Sequence, residues 1–167
     1  MSDAEPLIPM PGQRFPPASP DAALHPGEQL FWATFNNSPA AQVITELDTG
    51  RIIEANAAYC HLVGYPRTAL LGHTTPEQHP WLDPEEREKT LQALHRDGSV
   101  RNKEFEIRTR AGEIRTQLAS FALFELQGRR CVVSSTIDIT ERKQTEEALR
   151  RSEEPFRTAF DSMLEGA

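Results

Sequence analysis

RCVVSSTIDITERKQTEEALRR, residues 130–151, passes from strand to helix with almost no loop between them. The first half is β-branched and apolar, as a buried strand requires. The second half is charged, with only one large apolar residue, Leu149. Asp138 and Thr140 are both good helix caps, and Glu141 stands three residues after Asp138, the spacing of a capping box. The spacing therefore predicts a helix starting within a residue or two of the strand's end. Glu146 with Arg150 and Glu147 with Arg151 add i,i+4 pairs in the favourable orientation. Arg142, Thr145, Leu149, Ser152, Phe156, Ala159 and Met163 follow a 3.5-residue stripe, polar in its first half. That is a weak coiled-coil seam, or equally a plain solvated helix.

Upstream of this junction, KEFEIRTR and IRTQLASFALFEL read as two more strands, separated by Ala111, Gly112 and Glu113. Gln127 and Gly128 turn the second into the last strand. QVITEL and RIIEA are a further hairpin around Asp48, Thr49 and Gly50. Between the two strand groups lie helices. Asn56 caps AAYCHLVGY, TALLG makes a short turn, and PEEREKTLQALHRDG is a clear helix with Pro84 in its first turn and Gly98 at its end. HTTPEQHPWLDP reads as irregular. Strands and helices segregated in this way predict an α+β fold with an antiparallel sheet.

Residues 1–27 are rich in proline and poor in large apolar side chains, so a disordered lead-in is expected there. Order is expected from EQLFWATFNN. Phe31 and Phe35 share one helical face, while Leu30 and Trp32 make the helix apolar on other sides. Two partners are expected for it, its own domain and a second subunit, which makes Leu30, Phe31, Trp32 and Phe35 candidate dimer contacts.

The chain of 167 residues carries a net charge of −7, which argues against a nucleic-acid surface. Its two cysteines, Cys60 and Cys131, form no disulfide framework, as expected of a reducing cytosol. No apolar run approaches the ~18 residues of a membrane span. A cytoplasmic setting is expected, with the parent protein free to be membrane-associated through other segments.

FWATFNN from residue 31 returns as FRTAFDS from residue 156, at an offset of 125 residues. Residues 155–167 therefore read as the start of a second copy of one domain, and 141–154 as the helix connecting the two.

NAAYCHLVGYPRTALLG (56–72) and DITERKQTEEALRRSEEPFRTAF (138–160) resemble a PAS domain with its C-terminal PAC portion and the linker to a further PAS domain. The resemblance covers about residues 28–143, with the domain proper over 28–140 and Asp138, Ile139 and Thr140 as the family's DIT triplet. It implies a five-stranded antiparallel sheet flanked by helices around a small pocket. It also implies a sensory or docking role in a bacterial signalling protein, often a histidine kinase or diguanylate cyclase, whose output domain would follow. Pro155 departs from the family's linker, which usually carries a basic residue there. Because proline within a helix removes a hydrogen bond and costs about 3 kcal/mol, a break near Glu154 is expected.

Haem relatives carry a histidine at the start of the long helix. Here that start reads DPEEREK, and His95 lies at the other end, so haem is not expected. The Asn-Cys-Arg segment of light-sensing relatives is missing, so covalent flavin is not expected, and Cys60 reads as a small buried hydrophobe. His73, Glu77 and His79 lack zinc spacing, so no metal is expected. No nucleophile elbow or phosphate loop occurs, so no enzyme is expected. What remains is a pocket for a small ligand. By family position and apolar patterning its candidates are Leu62, Leu71, His73, Trp81, Leu91, Leu94, Phe105, Ser120 and Ser135. The competing reading is a filled core in which these residues touch one another. Ser120 and Ser135 would offer hydroxyls to a ligand or to neighbouring backbone. Transmission from pocket to output would fall to Asp138, Ile139, Thr140 and Leu149. The alternative function is a ligand-free dimerisation or spacer module.

Overall fold

The computed structural model describes residues 25–78 and 81–166. The expected lead-in lies, over residues 1–24, outside the described residues. Along the chain run α1 (Pro26–Asn37), β1 (Ala41–Glu46), β2 (Ile52–Ala55), α2 (Ala57–Val63), α3 (Arg67–Leu70), α4 (Thr75–Gln78), α5 (Pro84–Asp97), β3 (Ser99–Arg108), β4 (Ile114–Leu126), β5 (Arg129–Asp138) and α6 (Thr140–Glu165). The strands form one antiparallel sheet in the order β2-β1-β5-β4-β3. The α+β expectation holds.

Local chemistry sets most boundaries. Asn56 caps α2 by accepting from Tyr59 N at 2.9 Å, and it also accepts from Gln42 N while donating to the carbonyls of Phe35 and Ala40. One fully satisfied buried amide thus fixes β1, α1 and α2 together. Asp83 caps α5, and Gly98 ends it with φ 76°. Two expectations need correction here. β3 begins at Ser99 rather than Lys103, and the extra residues hold a bulge with Asn102 at φ 52°. The supposedly irregular stretch after His73 contains the single turn α4.

The inner face of the sheet meets α2, α3 and α5. Val43, Ile52, Tyr59, Val63, Leu70 and Ile107 form one core there, and Leu47, Leu94 and Val132 another. The outer face carries α1, whose Trp32 and Phe35 pack on Ile44 and Cys131. Arg67 pins this arrangement. It donates to both carboxylate oxygens of buried Glu54 at 2.5 and 2.6 Å, and its guanidinium lies 5.6 Å from the Trp32 ring.

α6 also departs from expectation. It runs unbroken through Pro155 to Glu165. Proline's missing N–H leaves the Arg151 carbonyl without its helical donor, but the helix is solvent-exposed there, where a carbonyl is open to water. The Thr158 hydroxyl donates to the Glu154 carbonyl just beyond. Glu147 pairs with Arg151 as expected, whereas Glu146 pairs back with Arg142.

Candidate functional site

Strand parity decides what faces inward. On β4, Gln117, Ala119 and Phe121 point toward the helices, and on β5, Val132, Ser134 and Thr136 do so. Between this face and α2, α4 and α5 lies a cavity of about 90 Å³. Trp81 stacks on Phe105 at 3.9 Å and 11° to form one wall, and Phe121 tilts against both. Leu62, Leu91 and Leu94 add aliphatic lining, and Tyr59, Thr45, Thr90, Ser134 and Thr136 add hydroxyls. Glu46 and Arg87 are the charged residues of the lining.

Of the candidates read from sequence, Leu62, Trp81, Leu91, Leu94 and Phe105 come together here. Leu71 packs behind α2 in the core instead. His73 is exposed, 3.8 Å from Glu77, and its carbonyl closes onto Ile52 N. His79 lies outside the described residues. Ser120 and Ser135 stand opposite one another on the outer face, one residue out of phase with the cavity. Ser120 accepts from Asn102 N at 3.2 Å and so supports the β3 bulge. Ser134 and Thr136 occupy the inner positions assigned in the sequence to Ser135.

Gln117 was not singled out from sequence, because a polar residue in a strand reads as solvent-facing. Its position two residues before Ala119 and four before Phe121 was the available signal. It is fully buried, and neither its carbonyl oxygen nor its amide nitrogen has a protein partner.

The ionisable groups near the cavity are tuned against reactivity. Burial pushes the Tyr59 hydroxyl far above its ordinary range. Burial also raises the Cys60 thiol, with Arg67 partly offsetting and Glu54 reinforcing, and it raises Cys131. A raised thiol forms less of the nucleophilic thiolate, so neither cysteine is activated by its surroundings. Among the described residues no group of three or more His, Cys, Asp or Glu side chains converges on a metal position. The arrangement can enclose a small molecule and hydrogen-bond it.

Beside the cavity lies the strand–helix junction. Asp138 Oδ1 accepts from Thr140 N at 2.9 Å and from its hydroxyl at 2.5 Å. The Thr140 hydroxyl oxygen in turn accepts from Thr116 N at 2.9 Å, while Ile139 N donates to the Thr116 carbonyl at 2.9 Å. The expected capping box does not form. Ile139 occupies the cap position, and Asp138 and Thr140 instead tie the helix start to β4. Arg115 reaches Asp138 at 3.4 Å, and Lys143 of α6 reaches Glu104 of β3 at 2.7 Å. Leu149 is exposed and touches none of this.

No helix among the described residues is long and apolar enough to cross a membrane. A C4-dicarboxylate transport sensor protein, DctS, from Rhodobacter capsulatus is 34% identical over 112 residues, covering 64% of this chain and 17% of that protein. This chain thus spans about a sixth of that relative. The PAS domain of a two-component sensor histidine kinase superposes with a TM-score of 0.57 at 18% identity, over 66% of this chain and 94% of that one. The PAS domain of a LuxR-family transcriptional regulator from Burkholderia thailandensis, solved with ethanol, gives 0.55 at 17% identity, over 65% and 96%. A family model described as PAS fold matches residues 35–144, and this chain belongs to the PAS family as a sensory domain.

Proposed function

We propose that this domain is a non-catalytic sensor in a bacterial signalling protein of the histidine kinase or diguanylate cyclase type. A small molecule enters the cavity, and the strand–helix junction passes its arrival to α6 and to an output domain beyond. The observation that carries this reading is the place of Thr116. It neighbours Gln117 in the cavity and makes both hydrogen bonds that hold Ile139 and Thr140. A shift of β4 by a fraction of an ångström therefore reaches the first turn of α6 with no slack loop between. Ethanol in the Burkholderia domain is consistent with a ligand of this size. A C4-dicarboxylate fits poorly, because its two negative charges would meet one lining cation, Arg87, and one lining anion, Glu46.

In the intact protein, Asp138→Ala with Thr140→Ala is expected to uncouple output from stimulus while the domain stays folded. An unchanged stimulus response would sink this reading. A second reading, homodimerisation without a ligand, draws support from the exposed Leu30 and Phe31 on α1 and from the exposed apolar stripe of α6. The two readings are compatible in one molecule. The setting proposed for both is cytoplasmic.

A further inference from the structure

Gln117 carries an unused pair of hydrogen-bonding groups. Its side chain is 0% exposed and lines the cavity, yet both amide heteroatoms lack a protein partner. Buried polar groups are almost always paired, and an apolar side chain of the same length would suit this core better. An amide kept here implies a visitor that pairs with it.

The surroundings restrict that visitor. The stacked Trp81 and Phe105 make the adjacent wall flat and apolar, Phe105 being the register partner of Gln117 on β3. The charged lining is one cation, Arg87, and one anion, Glu46. An anion would have Glu46 against it as well as Arg87 for it, whereas a neutral molecule leaves that balance undisturbed. An apolar cavity of about 150 Å³ holds benzene, so one of about 90 Å³ admits a molecule of about four non-hydrogen atoms.

A side-chain amide presents an acceptor and a donor side by side. Its complement is a neutral group with a donor and an acceptor in the same relation. We propose that the cavity binds a small uncharged amide or urea, held by a paired hydrogen bond to Gln117 against the Trp81–Phe105 wall. This deepens the sensory reading above and rests on it. It also supplies a route to the junction, since Gln117 and Asp138 are register partners and Thr116 holds Thr140.

The test is a titration of the 167-residue chain followed by the NMR signals of the Gln117 side-chain amide and of the cavity methyl groups. The probes are acetamide, acetone (the same shape without the donor) and acetate (its anionic counterpart). Acetamide is expected to shift the Gln117 amide signals saturably. The per-atom ceiling on small ligands limits its Kd to no tighter than about 40 µM. Acetone and acetate are expected to bind at least about tenfold more weakly, the effect of losing one good hydrogen bond. Gln117→Met, with Gln117→Leu as a second variant, is expected to abolish this preference. Equal binding of acetamide and acetone, unchanged by either variant, would overturn the amide class and leave the cavity a ligand site. If no probe moves any cavity signal, the cavity holds water only and the proposal falls. The sensory reading is judged apart from this, by the junction double variant.

Discussion

Phe31–Phe35 and Phe156–Phe160 carry the same Phe-x-x-x-Phe spacing, yet Phe35 is 5% exposed and Phe160 is 63% exposed. Both segments are helical. Helix formation is therefore a local property of this motif, and burial is not. In α1, Trp32 and Phe35 find the outer face of the sheet, where Ile44 and Cys131 receive them. In α6 the residue corresponding to Trp32 is Arg157, and no strand lies beneath.

Breaking the attachment of α1 should produce the largest effects. Arg67→Ala removes the cation from the fully buried Glu54 and the guanidinium from the Trp32 ring. Leaving such a charge unpaired costs about 3–5 kcal/mol, read as a lowered midpoint in urea unfolding. A loss below about 1 kcal/mol would mean that α1 does not depend on this pin. Next comes Phe35→Ala, expected to cost about 3 kcal/mol in the same assay through the cavity it leaves. The corresponding change in α6, Phe160→Ala, serves as its internal control.

The same contrast between local and tertiary signals explains what the sequence disclosed. Alternation exposed most strand positions, and residues such as Asn56 and Pro84 marked helix starts, because both are written within a few neighbouring residues. The inward face of β5 was not legible. CVVSST is buried or half-buried on both faces, so only its pairing with β1 and β4 reveals that Ser134, not Ser135, lines the cavity. The bulge at Asn102 hid the start of β3 for a similar reason, since its support comes from Ser120 on another strand. Pro155 misled in the other direction. Its cost is real in a helix interior, but a single exposed carbonyl is not enough to end a helix of this length.

The junction gives a smaller effect. Thr140→Val removes the acceptor for Thr116 N and the donor to Asp138 while keeping the side chain's shape. A loss of about 1 kcal/mol is expected, because water partly replaces these half-exposed bonds. Amide exchange should quicken at Thr116 and over the first turn of α6, and not in α1. Protection lost equally at both ends would deny that the junction is a separate unit from the α1 attachment.

The smallest effect on stability should come from the exposed copy, and it decides what α6 is for. Leu149, Phe156 and Met163 recur every seven residues with Phe160 beside them, and all are exposed. Seven-residue spacing is the repeat that lets two helices keep one face in contact, and an exposed pair of phenylalanines rarely persists without a partner. In a dilute monomer, Phe156→Ala with Phe160→Ala is expected to change unfolding free energy by no more than about 0.5 kcal/mol, since neither ring touches the domain. At higher concentration the same double variant should shift the mass measured by light scattering from dimer to monomer, and Leu30→Ala should not if α6 is the main seam. If instead the double variant destabilises the dilute monomer by more than about 1 kcal/mol, the rings are buried within one chain. The two copies of the motif would then share one fate after all, and the contrast drawn between them would fail.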